Sequence, residues 1–575
     1  MNILGISGQE RDAAAALVQD GRVTAAIEEE KLNRIRHVGM NYAGGLPYRA
    51  IEFCLERGGV KFSDIDCVAY YLEPHKLFHR EVAFNSTRAT LQSEAASIED
   101  FPPYFVDSLN NLKMRLRTKR LAESLLGERG RFVFVNHHLA HGASAFYSSR
   151  FESAAVISAG NKGDMTSTAL LRGSGASLSL GAEAQYPNSI GMVFNAVTEA
   201  LGFGYGDWHK TMWMAPTGRP EYIEVLEDVL TVDSDGLPRV NLDHFDESFR
   251  PAPPLSPHFF ESIRLRARHK DEPIGDRHRN LAASVQTHVE NVLCDIADRH
   301  RKKTGEDSLC LAGGVALNSL VNSAVERRAG FKNIFVQPAA GNAGCSIGAA
   351  LHAWHQTMGR TERAYQMEHA FLGPKFDSDS IKKVLDNCKI PYEYYLTEDK
   401  FVGEVAAQLT AGKIVAWFRG AMEFGPRTLG ARSILASPVS EMMRDNLNIY
   451  IKHREDYRPF SASVPEERAA EFFEPTALSD FLQGVSRIKE GKQSLVPAAV
   501  FGNGLVRVHT VSRKTNPSFW RLLTRFGESS GIPVLLNTSF NLFGEPVVST
   551  PREAVRGFYC SGLDCLAIGN FVIKK

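Results

Sequence analysis

His137 and His141, in the run VNHHLAH (135–141), stand four residues apart, so on a helix they share one face and can grip one metal ion, with His138 pointing away. Imidazole suits iron, zinc, nickel or copper, and such a pair needs a further ligand. A denser set of chemistry-bearing residues lies in the C-terminal half. GAMEFGPRTLGARSILASP (420–438) holds Arg427 and Arg432, and NIYIKHREDYRPF (448–460) holds Lys452, Arg454 and Arg458. In an extended chain the last three share one face at a period of two. LLNTSFNLFGEP (535–546) offers Asn537, Thr538, Ser539 and Asn541, amides and hydroxyls suited to phosphate oxygens, and VRVHTV contributes Arg507. Together these residues suit a pocket for a multiply charged anion such as a triphosphate.

Regular elements must hold these groups. The pattern predicts a buried strand over 2–6, a polar loop over 5–12, and strands over 13–18 and 23–27 joined by a turn at Asp20-Gly21. Strand, small-residue loop and strand recur over 154–158, 159–164 and 166–171. This points to a duplicated α/β unit, the construction of actin-like nucleotide-binding folds, whose two hairpin loops face one cleft. A long helix is expected over 276–303, where Leu281, Val285, Val289, Val292, Leu293 and Ile296 recur at three- and four-residue steps. Strands over 309–312 and 333–337 run into Gly313-Gly314 and PAAGNAG, with helices from 316 and 346. Such strand–glycine–helix units aim backbone amides at anions. The mixed, aperiodic stretch 356–374 places a domain boundary, giving domains 1–362 and 363–575. The second domain reads as α+β, with strands over 414–418, 534–536 and 565–573. The basic runs 113–120 and 264–270 read as solvated helix faces.

The 575 residues carry 66 Lys+Arg and 66 Asp+Glu, a formal net charge of +0, which argues against a nucleic-acid or polybasic membrane binder but leaves room for a local basic pocket. The eight cysteines form no CxxC pair, the pattern of reduced thiols rather than of a disulfide framework. No secretory signal and no apolar run of transmembrane length is evident, so a cytoplasmic protein is expected.

These residues carry a recognisable pattern. The chain resembles the antibiotic- and nodulation-type O-carbamoyltransferases over AAIEEEKLNRIRH (25–37), NHHLAHGASAFY (136–147), AGGVALNSLVN (312–322), FVQPAAGNAG (335–344), MEFGPRTLGARSILASP (422–438), IKHREDYRPF (451–460) and LLNTSFNLFGEPVVSTP (535–551). The resemblance implies an actin-like N-terminal domain similar to the tRNA-threonylcarbamoylation protein, joined to a YrdC-like C-terminal domain. It implies ATP and carbamoyl phosphate as substrates, activation to carbamoyl-adenylate in the C-terminal domain, and transfer to a small-molecule hydroxyl or amine in specialised metabolism, antibiotic biosynthesis included. Lys452, Arg454, Arg458 and Arg507 are then catalytic. Arg427, Arg432, Asn537, Thr538, Ser539, Asn541, Gly313, Gly314, Asn318 and Asn342 hold nucleotide and carbamoyl phosphate. Asp12 and Lys210 face the acceptor. His137 and His141 hold a divalent metal (iron, or magnesium or zinc) that polarises the carbonyl. A homodimer is implied at family level.

The chain also departs from the pattern. The family's His-Asp pair reads Arg11-Asp12. Its DGxGE loop reads GNKGD, putting Gly160 where a ligand Asp belongs, and Asn342 replaces a second ligand Asp. The EYK-like stretch is WHK (208–210), the GLAP-like stretch is WMAP (213–216), and the HVDGTxR stretch is FGNGLVR, which keeps only Arg507 of the functional set. With two carboxylates gone, the expectation is weak or absent metal binding, or a different metal. The alternative readings are a catalytically impaired paralogue that partners an active homologue, and a member redirected to another acyl- or nucleotidyl-transfer reaction.

Overall fold

The computed structural model describes residues 1–92, 103–246 and 254–575. The N-terminal part holds two five-stranded sheets. In the first, β1 (Asn2–Ser7), β2 (Ala14–Gln19), β3 (Arg22–Glu28), β4 (Cys67–Tyr70) and β5 (Arg131–Phe134) lie in the order β3-β2-β1-β4-β5. β1 pairs antiparallel with β2 and parallel with β4. The second holds β6 (Ser153–Gly163), β7 (Thr166–Ser174) and β8 (Ser177–Gln185). After a separate ribbon of β9 (Leu230–Val232) and β10 (Pro238–Val240), it gains β11 (Ser308–Ala312) and β12 (Asn333–Val336). Its order is β12-β11-β6-β7-β8, with β6 antiparallel to β7 and parallel to β11. Order and strand senses repeat between the sheets, so the chain carries the duplication expected of an actin-like domain.

Strands in such sheets are covered on both faces and read as continuous apolar runs. Ala14 to Val18 in β2 are fully buried. Small residues predominate because helix Gly344–His352 lies directly on this sheet: a Cβ at Gly5 would stand 1.8 Å from the Ser346 carbonyl oxygen. The long helix Asp276–Thr304 buries all six apolar residues of the predicted stripe and ends on Gly305 in the left-handed region. Helix Ser319–Arg328 begins later than expected, because the Asn318 side chain caps it by accepting from the Leu320 and Val321 amides.

The C-terminal part is one ten-stranded sheet. β13 (Glu393–Tyr394), β14 (Val415–Phe418), β15 (Arg432–Ala436), β16 (Ser461–Pro465), β17 (Ser486–Arg487), β18 (Val500–Phe501), β19 (Leu505–Val511), β20 (Leu535–Ser539), β21 (Cys565–Ile568) and β22 (Phe571–Lys574) run in the order β13-β22-β21-β14-β15-β20-β16-β19-β17, with β18 also on β19. The single strand expected over 565–573 is a hairpin, broken where Gly569 takes φ +56°. The stretch between residues 358 and 377 holds no helix or strand.

Neither basic run is a solvated helix face throughout. Arg115 is buried in helix Pro103–Glu123 and donates to both oxygens of the buried Glu81. The run 264–270 is not helical, and buried Arg268 is held by the Leu201 carbonyl at 2.6 Å. All eight cysteines are free. No helix among the described residues is long and apolar enough to cross a membrane.

Candidate functional site

A cleft of about 930 Å³ opens between the two N-terminal sheets and the C-terminal sheet. It is lined by Asp12, His137, His141, Gly314, Asn318, Asn342, Arg427, Arg454, Arg458, Arg507, Asn537, Thr538 and Ser539, so residues spread over the whole sequence converge there.

The motif 25–37 holds the two parts together. Glu28 and Lys31, both buried, pair at 2.8 Å. Lys31 Nζ also donates to the Glu423 and Gly425 carbonyls, and the Gly425 amide donates to Glu28. Arg34 donates to the Pro546 and Val547 carbonyls and pairs with Glu553 at 3.3 Å.

On the C-terminal wall the run 448–460 is not extended. A π-helical turn, Asn446–Ile451, leads into a bent loop. Asn448 braces that loop by accepting from Arg454 Nε at 2.7 Å and donating to the Arg458 carbonyl at 3.0 Å. The bend separates the three cations. Lys452 turns out of the cleft lining and donates to the Ser539 carbonyl at 2.8 Å and to Asn541 Oδ1 at 2.6 Å, fixing the loop after β20. Lys452 and Asn541 therefore position this wall rather than form it. Arg454 and Arg458 line the cleft with Arg427 and Arg507. Arg454 Nη2, Arg458 Nε, Arg427 Nε, and Nε and Nη2 of Arg507 have no protein partner. Burial, reinforced by Arg427, Arg454 and Arg458, holds the Arg507 guanidinium pKa well below its ordinary value. A buried donor without an acceptor is costly, and several converging on one cavity make a receptor for anionic oxygens. Arg432 is corrected out of the site. It is fully buried, stacks 3.7 Å from the Phe418 ring centre, and donates to the carbonyls of Arg419, Gly420, Ala431 and Pro374.

On the N-terminal wall, helix His137–Phe146 starts at Asn136, whose side chain accepts from the His138 and Leu139 amides. The His137 and His141 rings sit 4.6 Å apart between centroids, and both Nδ1 atoms lack a partner. Burial keeps both imidazoles neutral, pushing His141 down to about 3. His138 turns to the sheet and bonds to Ser158 Oγ and the Thr166 carbonyl. The family's donor set does not fit here: Gly160 offers no side chain, and Asn342 donates its amide to the Arg11 carbonyl at 3.4 Å. Gly313 sits outside the lining at φ +90°, where a Cβ would stand 2.2 Å from the Ala159 carbonyl oxygen. Lys210 does not line the cleft either. It bridges Asp207 (3.1 Å) and Glu455 (3.2 Å), linking the N-terminal part to the cationic loop.

Sequence reasoning missed three groups. His37 bonds to Asp12 at 2.7 Å, and both residues are non-glycines in the left-handed region, at φ 56° and 58°. Backbone bonds from Ala13 to Val38 and from Met40 to Gly8 zip their two turns together. Glu30 accepts from the His37 amide at 2.6 Å. Strained, paired residues in a cleft mark function, and a signal was available in the histidine that ends the motif 25–37. Cys345 is the third group: it lies within 4.8 Å of the ligand atoms of His137 and His141.

Comparisons with known proteins identify the chain's relatives. A model described as carbamoyltransferase N-terminus matches residues 2–351, and one described as carbamoyltransferase C-terminus matches 406–575. Nodulation protein NolNO of Sinorhizobium fredii is 35% identical over 98% of this chain and 79% of its own length. Nodulation protein NolO of Bradyrhizobium diazoefficiens is 35% identical over 77% of this chain and 79% of its own. Among solved structures, HypF of T. kodakarensis overlaps 63% of this chain and 48% of its own at 13% identity and a TM-score of 0.34. Matched along both parts that enclose the cleft, the chain belongs to the carbamoyltransferase family.

Proposed function

We propose that the protein is an ATP-dependent carbamoyltransferase that makes carbamoyl-adenylate at its YrdC-like C-terminal wall: water cleaves carbamoyl phosphate to carbamate and phosphate, and a carbamate oxygen then attacks the α-phosphorus of ATP as pyrophosphate leaves. The carbamoyl group then passes to a hydroxyl or amine of a small molecule at the N-terminal wall. One observation carries the reading: Arg427, Arg454, Arg458 and Arg507 line one cleft with donors that no protein group accepts. Triphosphate and carbamoyl phosphate oxygens are acceptors of the matching charge, and bidentate guanidinium contacts orient them for in-line displacement. Lys452 supports this wall by locking Ser539 and Asn541. On the opposite wall the Asp12–His37 pair has the arrangement of a carboxylate-oriented imidazole, suited to take the proton of an acceptor hydroxyl as it attacks the carbamoyl carbon and AMP leaves. The shared cleft keeps the mixed anhydride from water between the two steps.

The test is exchange of labelled pyrophosphate into ATP by the purified protein. Exchange is expected only when carbamoyl phosphate is present. A folded protein with no carbamoyl-phosphate-dependent exchange refutes the activation step.

A further inference from the structure

Beside the arginine wall the C-terminal sheet holds a pair of polar side chains that the proposed chemistry does not use. β20, β16 and β19 are neighbouring strands, and their register sets Asn537 opposite Ser461, Ser461 opposite Arg507, and Ser463 opposite His509. Asn537, Ser461 and Arg507 line the cleft, whereas Ser463 and His509, two residues further along their strands, are buried outside its lining. Asn537 Nδ2 donates to the Thr428 carbonyl at 3.3 Å and to Ser463 Oγ at 3.1 Å. Ser463 Oγ bonds in turn to His509 Nδ1 at 2.9 Å. Asn537 Oδ1 is buried and meets no donor. We infer that Ser463 and His509 are positioning residues: they fix the Asn537 amide with its oxygen free for the N–H of a carbamoyl ligand, and so select carbamoyl phosphate over acyl phosphates that carry a carbon in place of that nitrogen. The inference rests on the proposed activation of carbamoyl phosphate at this wall.

The direction of each bond follows from what each group can do. A carbonyl oxygen only accepts, so Thr428 requires the nitrogen of the Asn537 side chain, not its oxygen, to face it. An amide nitrogen carries two protons, and Thr428 and Ser463 take both. The Ser463 hydroxyl then has its own proton to give, and the bare Nδ1 of a neutral imidazole receives it. Burial keeps His509 neutral, pushing its pKa down to about 3, so this acceptor is in place at neutral pH. Stacking on Phe519, with ring centroids 6.2 Å apart, sets the imidazole plane. The chain of bonds leaves one atom unmet, Asn537 Oδ1. The phosphate oxygens that suit the arginines cannot satisfy it, because oxygen acceptors do not pair with one another. The amino group of carbamoyl phosphate can. A methyl group in its place leaves Oδ1 buried and unpaired, and a site built around an N–H rejects the analogue that lacks it.

The test uses the full chain and two ligands that phosphate release cannot consume, carbamoylphosphonate and acetylphosphonate, with inorganic phosphate as the control and calorimetry as the readout. The wild-type chain is expected to bind carbamoylphosphonate about 5–150-fold more tightly than acetylphosphonate, the range set by one buried acceptor left unpaired. Ser463→Ala and His509→Leu are expected to lower that ratio at least about 3-fold while changing phosphate affinity less than about 2-fold. His509→Gln, whose side-chain oxygen can receive the Ser463 proton, is expected to restore the ratio. A residue that merely supports the fold would weaken all three ligands together and leave the ratio unchanged. Should Ser463→Ala fail to fold, the comparison of His509→Leu with His509→Gln decides. Equal binding of the two phosphonates by the wild-type chain, or a ratio that survives both Ser463→Ala and His509→Leu, overturns the inference while leaving carbamoyl-phosphate-dependent exchange standing. The expected ratio in a protein without that exchange supports the inference and refutes the activation step alone.

Discussion

Replacing Arg507 by methionine, a neutral side chain of similar length, separates a ligand-binding arginine from a structural one by the sign of two effects. In the folded protein Arg507 is 8% exposed, and its Nε and Nη2 have no acceptor. Its guanidinium carbon lies 4.8 Å from the Trp213 ring centre. Each unpartnered donor costs about 1–3 kcal/mol, and the repulsion among the four arginines adds to that cost. The contact with Trp213 offsets about 0.5–2 kcal/mol. Neutralisation is therefore expected to stabilise the ligand-free protein by about 1–4 kcal/mol. At about 2–4 °C per kcal/mol for a unit of roughly 200 residues, the melting temperature rises by several degrees. In the liganded state the balance reverses, because a charge-assisted hydrogen bond worth about 1.5–3 kcal/mol is lost, which is about 10–150-fold in exchange rate. Thermal melts and the carbamoyl-phosphate-dependent exchange assay on the same preparation read both effects. A lower melting temperature with unchanged exchange would refute the reasoning, since it would mean that Arg507 is held by the protein itself.

Two further outcomes are expected. Lys31→Met leaves Glu28 buried without its 2.8 Å partner and frees the Glu423 and Gly425 carbonyls. Stability is expected to fall by about 3–5 kcal/mol, seen as a lower melting temperature, and the double variant Glu28→Gln/Lys31→Met should recover part of it; an unchanged melt would contradict the clamp. His509 is buried beside Ser463 Oγ, and burial pushes its pKa down to about 3. Its native form is therefore neutral where the unfolded chain, with a pKa near 6.5, takes up a proton, so stability is lost as pH falls from about 6.5 towards 3. Urea unfolding of His509→Gln between about pH 4.5 and 6 is expected to show a slope of stability against pH smaller by up to about 1.4 kcal/mol per unit; an identical slope would exclude the assignment.

The sequence made the repeated strand units, the long helix and the anion-binding residue types legible, because apolar periodicity and strand–glycine–helix spacing are local signals. What it could not convey is which polar groups satisfy one another across the fold. The motif 25–37 shows why: Lys31 and Arg34 tie the N-terminal sheet to loops nearly 400 and more than 500 positions away. The nearness of Cys345 to His137 and His141 comes from two helices in contact, not from spacing in the chain. The contrast between two arginines makes the same point most sharply. Arg432 and Arg507 are both buried cations in strands of one sheet, and nothing in the local sequence distinguishes them. Arg432 meets four backbone carbonyls and lies outside the cleft lining, whereas Arg507 presents two unaccepted N–H groups in the cleft that Arg427, Arg454 and Arg458 also line. Residue type supplies the chemistry, but only the account of donors and acceptors in the fold shows where the protein has left that chemistry for a ligand. By that measure the zero net charge of the chain conceals a local group of cations, Arg427, Arg454, Arg458 and Arg507, that the fold gathers on one wall of the cleft.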